Sequence, residues 1–507
     1  MLRTVKTECG IVRGIEAADP RITAFKGVPF AAPPTGENRW RAPQPCKPWD
    51  GVLDCARFAP ISMQDTPGLG DGFYNREWHV DPQIPMSEDC LYLNIWTPAK
   101  SADEKLPVLV WYFGGGLQWG YTAEMEFDGE RMARRGIVVV TVNYRLGVFG
   151  FLAHPELTSA QPDAPTNFGN LDQQAGLMWV RRNIAAFGGD PDCITIAGQS
   201  AGGGSVMSQI TCPANFGHIK RAIIQSGMIR TPYAPDGFGK PASLESSEKK
   251  GEKFFEVLGV KTLEEARKLD AFYIRDKYAE YAASNPRFFT TQDNKFSFGD
   301  PIKLCFEGKS ANIPLMAGNT VDEFRNSISA SDEVELAKKA QEYFGSHADE
   351  FLAIDGVKTP ANGRYADVSG IECTCKALFS RYRELGNNFG CYYYSFNPDI
   401  PGKDAPGSFH SSELWFMFET LAKCTRPFVG HHYDLARQMC NYWCNFIKTG
   451  DPNGKDADGS DMPVWKPYTD GSSCGMSFVK EGCVPTSSDT PLVNFLVKMV
   501  KQKAIKD

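Results

Sequence analysis

Cys193-Ile194-Thr195-Ile196-Ala197-Gly198-Gln199-Ser200-Ala201-Gly202-Gly203-Gly204 is an apolar run that ends in a serine bracketed by glycines and leads into a helix-permitting segment. A serine that stands clear of a sheet edge needs a strand that bends sharply into a helix. Glycine at the flanking positions lets strand and helix pass closely enough. The helix N-terminus then aims its free N–H groups at the serine and favours negative charge there. Ser200 is therefore the candidate nucleophile.

The five-residue pattern alone is weak, because in a glycine-rich chain it arises by chance in roughly one sequence in four. Gly471-Ser472-Ser473-Cys474-Gly475 fits it as well. That copy follows the turn-like Pro467-Tyr468-Thr469-Asp470 and runs into apolar Met476-Ser477-Phe478-Val479, so its order is turn then strand. Ser473 is read as non-catalytic.

Upstream, Val108-Leu109-Val110-Trp111-Tyr112-Phe113 reads as a strand that stops at Gly114-Gly115-Gly116. Three glycines there let backbone N–H groups approach a ligand oxygen without interference from Cβ; a flexible turn is the plainer alternative. Ile137 to Tyr144 is a continuous apolar run, the mark of a strand buried on both faces and so of a parallel sheet. Leu177, Val180, Ile184 and Phe187 recur at helical spacing before Gly188-Gly189-Asp190-Pro191. Ala222–Gln225, Pro314–Ala317 and Cys391–Phe396 are further strands, and 434–447 a helix. The alternation predicts an α/β protein with a large, mostly parallel central sheet flanked by helices. A polar, helix-rich segment at about 243–294 reads as an insertion over the C-terminal edge of that sheet.

The chain has 507 residues and a formal charge of −7, with no long basic run. Nucleic acid and anionic membrane surfaces gain no electrostatic support, and a small-molecule substrate is expected. No linker or repeat divides the chain, so residues 1–507 are expected to form one domain with insertions. No stretch is long enough to span a bilayer, and the first ten residues read as a strand, not a secretion signal, so a cytoplasmic location is expected. The 15 cysteines are scattered and lack zinc-like spacing, which predicts reduced, buried thiols, with no metal and no cofactor.

Several spaced motifs then carry a resemblance: Phe25-Lys26-Gly27-Val28-Pro29-Phe30-Ala31, Glu88-Asp89-Cys90-Leu91-Tyr92-Leu93-Asn94, Asn143-Tyr144-Arg145-Leu146-Gly147, Phe187-Gly188-Gly189-Asp190-Pro191 and Gly198-Gln199-Ser200-Ala201-Gly202. In this order, over nearly the whole chain, they resemble the type-B carboxylesterases of the α/β-hydrolase fold, a family that includes cholinesterases, some lipases and bacterial para-nitrobenzyl esterases.

The resemblance implies a triad in the order serine, acid, histidine. Ser200 is the nucleophile. Gly318-Asn319-Thr320-Val321-Asp322-Glu323 resembles the acid loop, with Glu323 at the matching place. Asp322 is its neighbour, and adjacent side chains in an extended loop point apart, so only one can orient the histidine. His410-Ser411-Ser412-Glu413-Leu414 resembles the histidine loop and makes His410 the base. Gly115, Gly116 and Ala201 match the oxyanion hole. Ser226 matches a family serine near the histidine, and a strand-end cap would explain it equally well.

The implied activity is hydrolysis of small to medium neutral carboxylic esters through an acyl-enzyme. Amidase, thioesterase or carbamate hydrolase chemistry with the same triad, and a catalytically silent binding protein of the same fold, are the alternatives. A small-molecule ester is the expected partner, for a monomer or small homo-oligomer.

The departures from the family pattern are informative. Gln199 stands where an acid is common, which argues against cationic substrates. Cys90 lacks its disulfide partner and Val260 replaces another family cysteine, in keeping with a reduced compartment. Phe113 precedes the glycines in place of histidine or tyrosine, a change expected to leave the oxyanion geometry intact. Phe324 follows Glu323 where the family has glycine, so a glycine-only angle there would be forbidden to it. Trp119, Trp415, Phe416 and Phe418 fall in segments that the resemblance places near the site, although core packing would explain them too.

Overall fold

A computed structural model describes residues 1–78, 80–234, 241–469, 474–486 and 489–506. Its centre is an 11-stranded sheet. In chain order the strands are β1 (Ile15–Glu16), β2 (Thr23–Pro29), β3 (Tyr92–Thr97), β4 (Leu106–Tyr112), β5 (Val138–Val142), β6 (Gly189–Gln199), β7 (Arg221–Gln225), β8 (Leu315–Thr320), β9 (Cys391–Asn397), β10 (Gly475–Val479) and β11 (Gly482–Thr486). Across the sheet they run β11-β10-β9-β8-β7-β6-β4-β5-β3-β2-β1. Strands from β5 through β4 and β6 to β10 are parallel to their neighbours, and the edges are antiparallel. This is the α/β-hydrolase architecture. Ser473 lies outside the described residues, and the strand expected after it is β10.

The continuous apolar runs are explained by burial on both faces. Val108, Val110 and Tyr112 enter the core on one side of β4, while Leu109 and Trp111 enter the core on the other. In β5, Val138, Val140 and Val142 alternate in the same way with Val139. The apolar run of β5 is expected of a strand in a parallel sheet, here within a mostly parallel one. It pairs in parallel with β4 and antiparallel with β3, because both faces of this mixed sheet are covered too.

Helix α1 (Phe168–Asn183) joins β5 to β6, and α2 (Ala201–Thr211) joins β6 to β7, so both make crossovers between parallel strands. The register aligns Gly198 with both Tyr112 and Ile224, and Gly318 with both Gln225 and Tyr394. The C-terminal ends of β4, β6, β7, β8 and β9 therefore finish close together, where open α/β sheets hold their ligands.

The 243–294 segment contains helices Leu244–Leu258, Leu263–Lys268 and Ala271–Ala282. It meets the turn after β4 at Gln118, whose Oε1 accepts from the Tyr278 hydroxyl at 2.8 Å and whose amide donates to the Phe288 carbonyl at 2.9 Å. Gln118 lies two residues beyond the glycine triplet. Among the described residues no helix is long and apolar enough to cross a membrane.

Candidate active site

Ser200 sits at the bend between β6 and α2 with φ 57° and ψ −124°, outside the regions that side-chain-bearing residues favour. Its N–H donates to the Gln225 carbonyl at 2.8 Å, which ties the bend to β7. The flanking glycines are sterically required. A Cβ on Gly198 would lie 2.4 Å from the Gly202 backbone, and one on Gly202 would lie 2.1 Å from the Tyr112 carbonyl. Strand and helix thus pass at a distance that only glycine permits.

The triplet packs on the other side of the same bend. A Cβ on Gly114 would meet the Gln199 carbonyl at 2.8 Å and Ser200 Cβ at 3.1 Å. Gly115 and Gly116 hold φ of 100° and 63°, and the Gly115 carbonyl accepts from Gln118 and Trp119, each at 3.0 Å. Behind them Phe113 is stacked on Tyr144 at 4.3 Å, and the Tyr144 hydroxyl donates to the Phe113 carbonyl at 2.6 Å. Ala201 is the first residue of α2, so its N–H is one of the unpaired donors of a helix start.

Glu323 lies three residues beyond β8, with its side chain fully buried. One oxygen accepts from Ser226 Oγ at 2.6 Å and from the Thr320 N–H at 2.8 Å, and the other meets His410 Nδ1. Ser226 thus bonds the acid, where the sequence left a choice between a serine near the histidine and a strand-end cap. Asp322 turns away: its carboxylate accepts from the Ser408 N–H at 2.8 Å and so links the acid loop to the histidine loop. Phe324 does adopt a left-handed angle, φ 39°, and its ring meets the His410 ring edge-on at 4.7 Å.

Gln199 is buried, and its amide nitrogen lies 3.4 Å from each ring nitrogen of His410, beside the ring and off the hydrogen-bonding line of either. Glu413, three residues after His410, is completely buried and accepts from the Gln225 amide at 3.3 Å. Burial, and then the neighbouring Glu323 charge, hold its carboxyl well above the usual carboxylate range.

Ser200, His410, Gln199 and Gly114 to Gly116 all line one cavity of about 630 Å³. Trp119 lines it too, its Nε1 donating to Asp65 at 2.8 Å. Trp415, Phe416 and Phe418 are core residues, at most 1 % exposed. Trp415 supports the wall indirectly, stacked at 5.5 Å on Trp78, which lines the cavity.

Sequence reasoning missed part of this lining. Leu69, Phe73, Tyr74 and Trp78 come from a turn-rich stretch without periodicity, and Tyr74 donates to the His410 carbonyl at 3.3 Å. Glu124 and Glu126 line the cavity as well. Burial, and then Glu124, raise the Glu126 carboxyl well above its ordinary value. No motif flags these two acids; their position eight and ten residues beyond Gly116 is the only signal available.

A serine at a strained bend, a histidine held by a buried carboxylate and a glycine turn facing the same cavity define a hydrolase site. The chain belongs to the carboxylesterase family, whose model matches residues 2–358 and 366–496. It is similar to the cholinesterase of Mus musculus, with 31 % identity over 91 % of this chain and 81 % of the relative. It is also similar to the fumonisin B1 esterase of Sphingopyxis macrogoltabida, with 32 % identity over 88 % and 82 %. Among solved structures, the carboxylesterase EST55 of Geobacillus stearothermophilus matches with TM-score 0.71 and 30 % identity over 94 % of this chain and 96 % of that one. PNB esterase matches with TM-score 0.72 and 29 % identity over 95 % and 97 %. The protein is a carboxylic ester hydrolase.

Proposed function

We propose that this enzyme hydrolyses small to medium neutral carboxylic esters by a serine mechanism with an acyl-enzyme intermediate. The observation that carries the reading is the buried Glu323 carboxylate, which bridges Ser226, the Thr320 N–H and His410 Nδ1 beside the cavity that Ser200 lines.

With Nδ1–H donated to Glu323, His410 Nε2 keeps its lone pair and takes the Ser200 proton as Oγ attacks the ester carbonyl. Glu323 stabilises the resulting imidazolium. The oxyanion is received by the N–H groups of Gly115, Gly116 and Ala201, each worth about 2.7–4 kcal/mol in the transition state. His410 then protonates the departing alcohol, and a water activated by the same nitrogen releases the acid. One feature supports a neutral substrate at the reacting end: the uncharged Gln199 beside His410.

The test combines fluorophosphonate labelling with turnover of chromogenic esters. Wild type should be labelled once, on Ser200, and Ser200→Ala should lose both labelling and turnover. Glu323→Gln should retain more activity than any His410 variant, since the acid orients and stabilises without touching substrate. Undiminished turnover by Ser200→Ala would sink the mechanism.

A further inference from the structure

The carboxyls of Asp65, Glu124 and Glu126 line the cavity that holds Ser200, and among the described residues no lysine or arginine lines it. Two of these acids have partners in the wall. Asp65 accepts from Trp119 Nε1 at 2.8 Å, and Glu124 Oε1 accepts from the Tyr121 N–H at 2.8 Å. Glu126 differs: the residue is 1 % exposed, and its Oε2 has no hydrogen-bond partner among the described residues. Within the described lining it is the one residue with such an atom.

Its surroundings do not supply the missing partner. The Glu126 main chain is held from behind, its carbonyl accepting from Thr420 Oγ1 at 3.1 Å. Glu77, whose charge also reaches Glu126, is bound by Arg426 at 2.8 and 2.9 Å, so that cation is already engaged. A buried acceptor without a donor costs more than an ordinary hydrogen bond contributes, and whatever completes it must bring an N–H or O–H of its own. Much of the remaining wall is apolar, with Phe73, Trp78, Phe127 and Leu414 lining the same cavity.

We propose that Glu126 sets substrate specificity by receiving a hydroxyl that the ester carries away from its reacting carbonyl. This assignment rests on the acyl-transfer reading above, and it applies to a hydroxyl on either side of the ester, since a single cavity is lined by both Ser200 and Glu126. A neutral group fits better than a cation. Burial, and then Glu124, make the Glu126 carboxyl keep its proton to higher pH than usual. A carboxyl that keeps its proton offers an acceptor and a donor, and a hydroxyl matches both. An ammonium would give up far more hydration to reach the same place.

The experiment compares isomeric pairs of esters. On the alcohol side the pair is 4-hydroxybutyl acetate and 3-methoxypropyl acetate; on the acyl side it is methyl 6-hydroxyhexanoate and methyl 5-methoxypentanoate. Each ether keeps the acceptor oxygen and loses the donor. In at least one pair the wild type should favour the hydroxyl ester in kcat/KM by about three- to tenfold, the size of one hydrogen bond. Glu126→Leu should bring that ratio to one or below, with Glu126→Met as the substitute if the leucine variant does not fold. Glu126→Gln, which keeps an acceptor and a donor, should hold the ratio above one. A wild-type ratio at or below one in both pairs, or a ratio unchanged in the leucine or methionine variant, overturns the proposal. The ethers separate the two readings: if they are cleaved while both ratios stay flat, only Glu126 loses its role, whereas no cleavage of any ester would remove the acyl-transfer reading itself.

Discussion

Ser200, Ser226, Phe324 and Ser411 all hold φ between 39° and 78°, and each lies within one residue of a proposed catalytic group or of its partner. Such angles cost about 1–3 kcal/mol apiece outside glycine and persist only where neighbours over-determine them. At Ser200 and Ser226 they are pinned by buried polar bonds: the Ser200 N–H to Gln225, the Ser226 N–H to Gly318 at 2.9 Å, and the Ser226 hydroxyl to Glu323. Glu413 lies in the same region and carries a testable pH signature. Its folded-state affinity for a proton is raised, so its stability contribution is fully present below the ordinary glutamate value of 4.5 and is lost as pH rises through the higher native value. Glu413→Gln, which cannot ionise, should lose less thermal stability than wild type between pH 5 and about pH 9. Melting curves across that range check this, and parallel pH profiles for the two proteins would refute it.

At the scale of the element, the glycine turn after β4 separates two residues that look interchangeable in sequence. A Cβ on Gly115 would lie 2.2 Å from the Trp119 carbonyl, whereas nothing lies within 3.8 Å of one on Gly116. Gly115→Ala should therefore rebuild the turn, lowering both the melting temperature and kcat. Gly116→Ala has room and meets only the left-handed angle, about 1–2 kcal/mol. It should stay folded, which makes it the cleaner probe of the proposed oxyanion hole. A Gly115→Ala protein that melts with wild type would contradict the turn geometry. The strands and crossover helices themselves were legible, because runs such as Val138–Val142 need both faces buried and Leu177, Val180 and Ile184 keep helical spacing. The cavity wall at 69–78 was not, since a short helix between turns has no period to read.

Across the whole molecule, one arginine makes several of the bonds that tie the helical segment at 243–294 to the body. Arg39 forms a two-pronged pair with Glu88, both bonds 2.6 Å, and its remaining nitrogen donates to the carbonyls of Ala266, Arg267 and Leu269 at 3.1, 3.2 and 2.7 Å. Both side chains of the pair are less than 10 % exposed. Arg39→Met leaves Glu88 buried without its cation and takes one donor from the helix-end carbonyls. Breaking such a pair costs about 3–5 kcal/mol. Limited proteolysis should then cut first within residues 259–294, and cleavage unchanged from wild type would refute the anchoring role.

Local physics sufficed for much of the site. Gly198, Ser200 and Gly202 declare a strand-to-helix bend because only glycine permits that closeness, and the helix that follows brings its own electrostatics wherever it folds. The order of Glu323 and His410 after it could be read along the chain as well. The choice between Asp322 and Glu323 could not, because adjacent carboxylates differ only in what each side chain finds across space: the Ser408 N–H for one, Ser226 and His410 for the other. The same holds for the aromatics, where Trp119 reached the cavity while Trp415, Phe416 and Phe418 were taken into the core. Chain-local geometry specifies a backbone bend, but a side chain's partner is set by the packing of segments nearly a hundred residues apart.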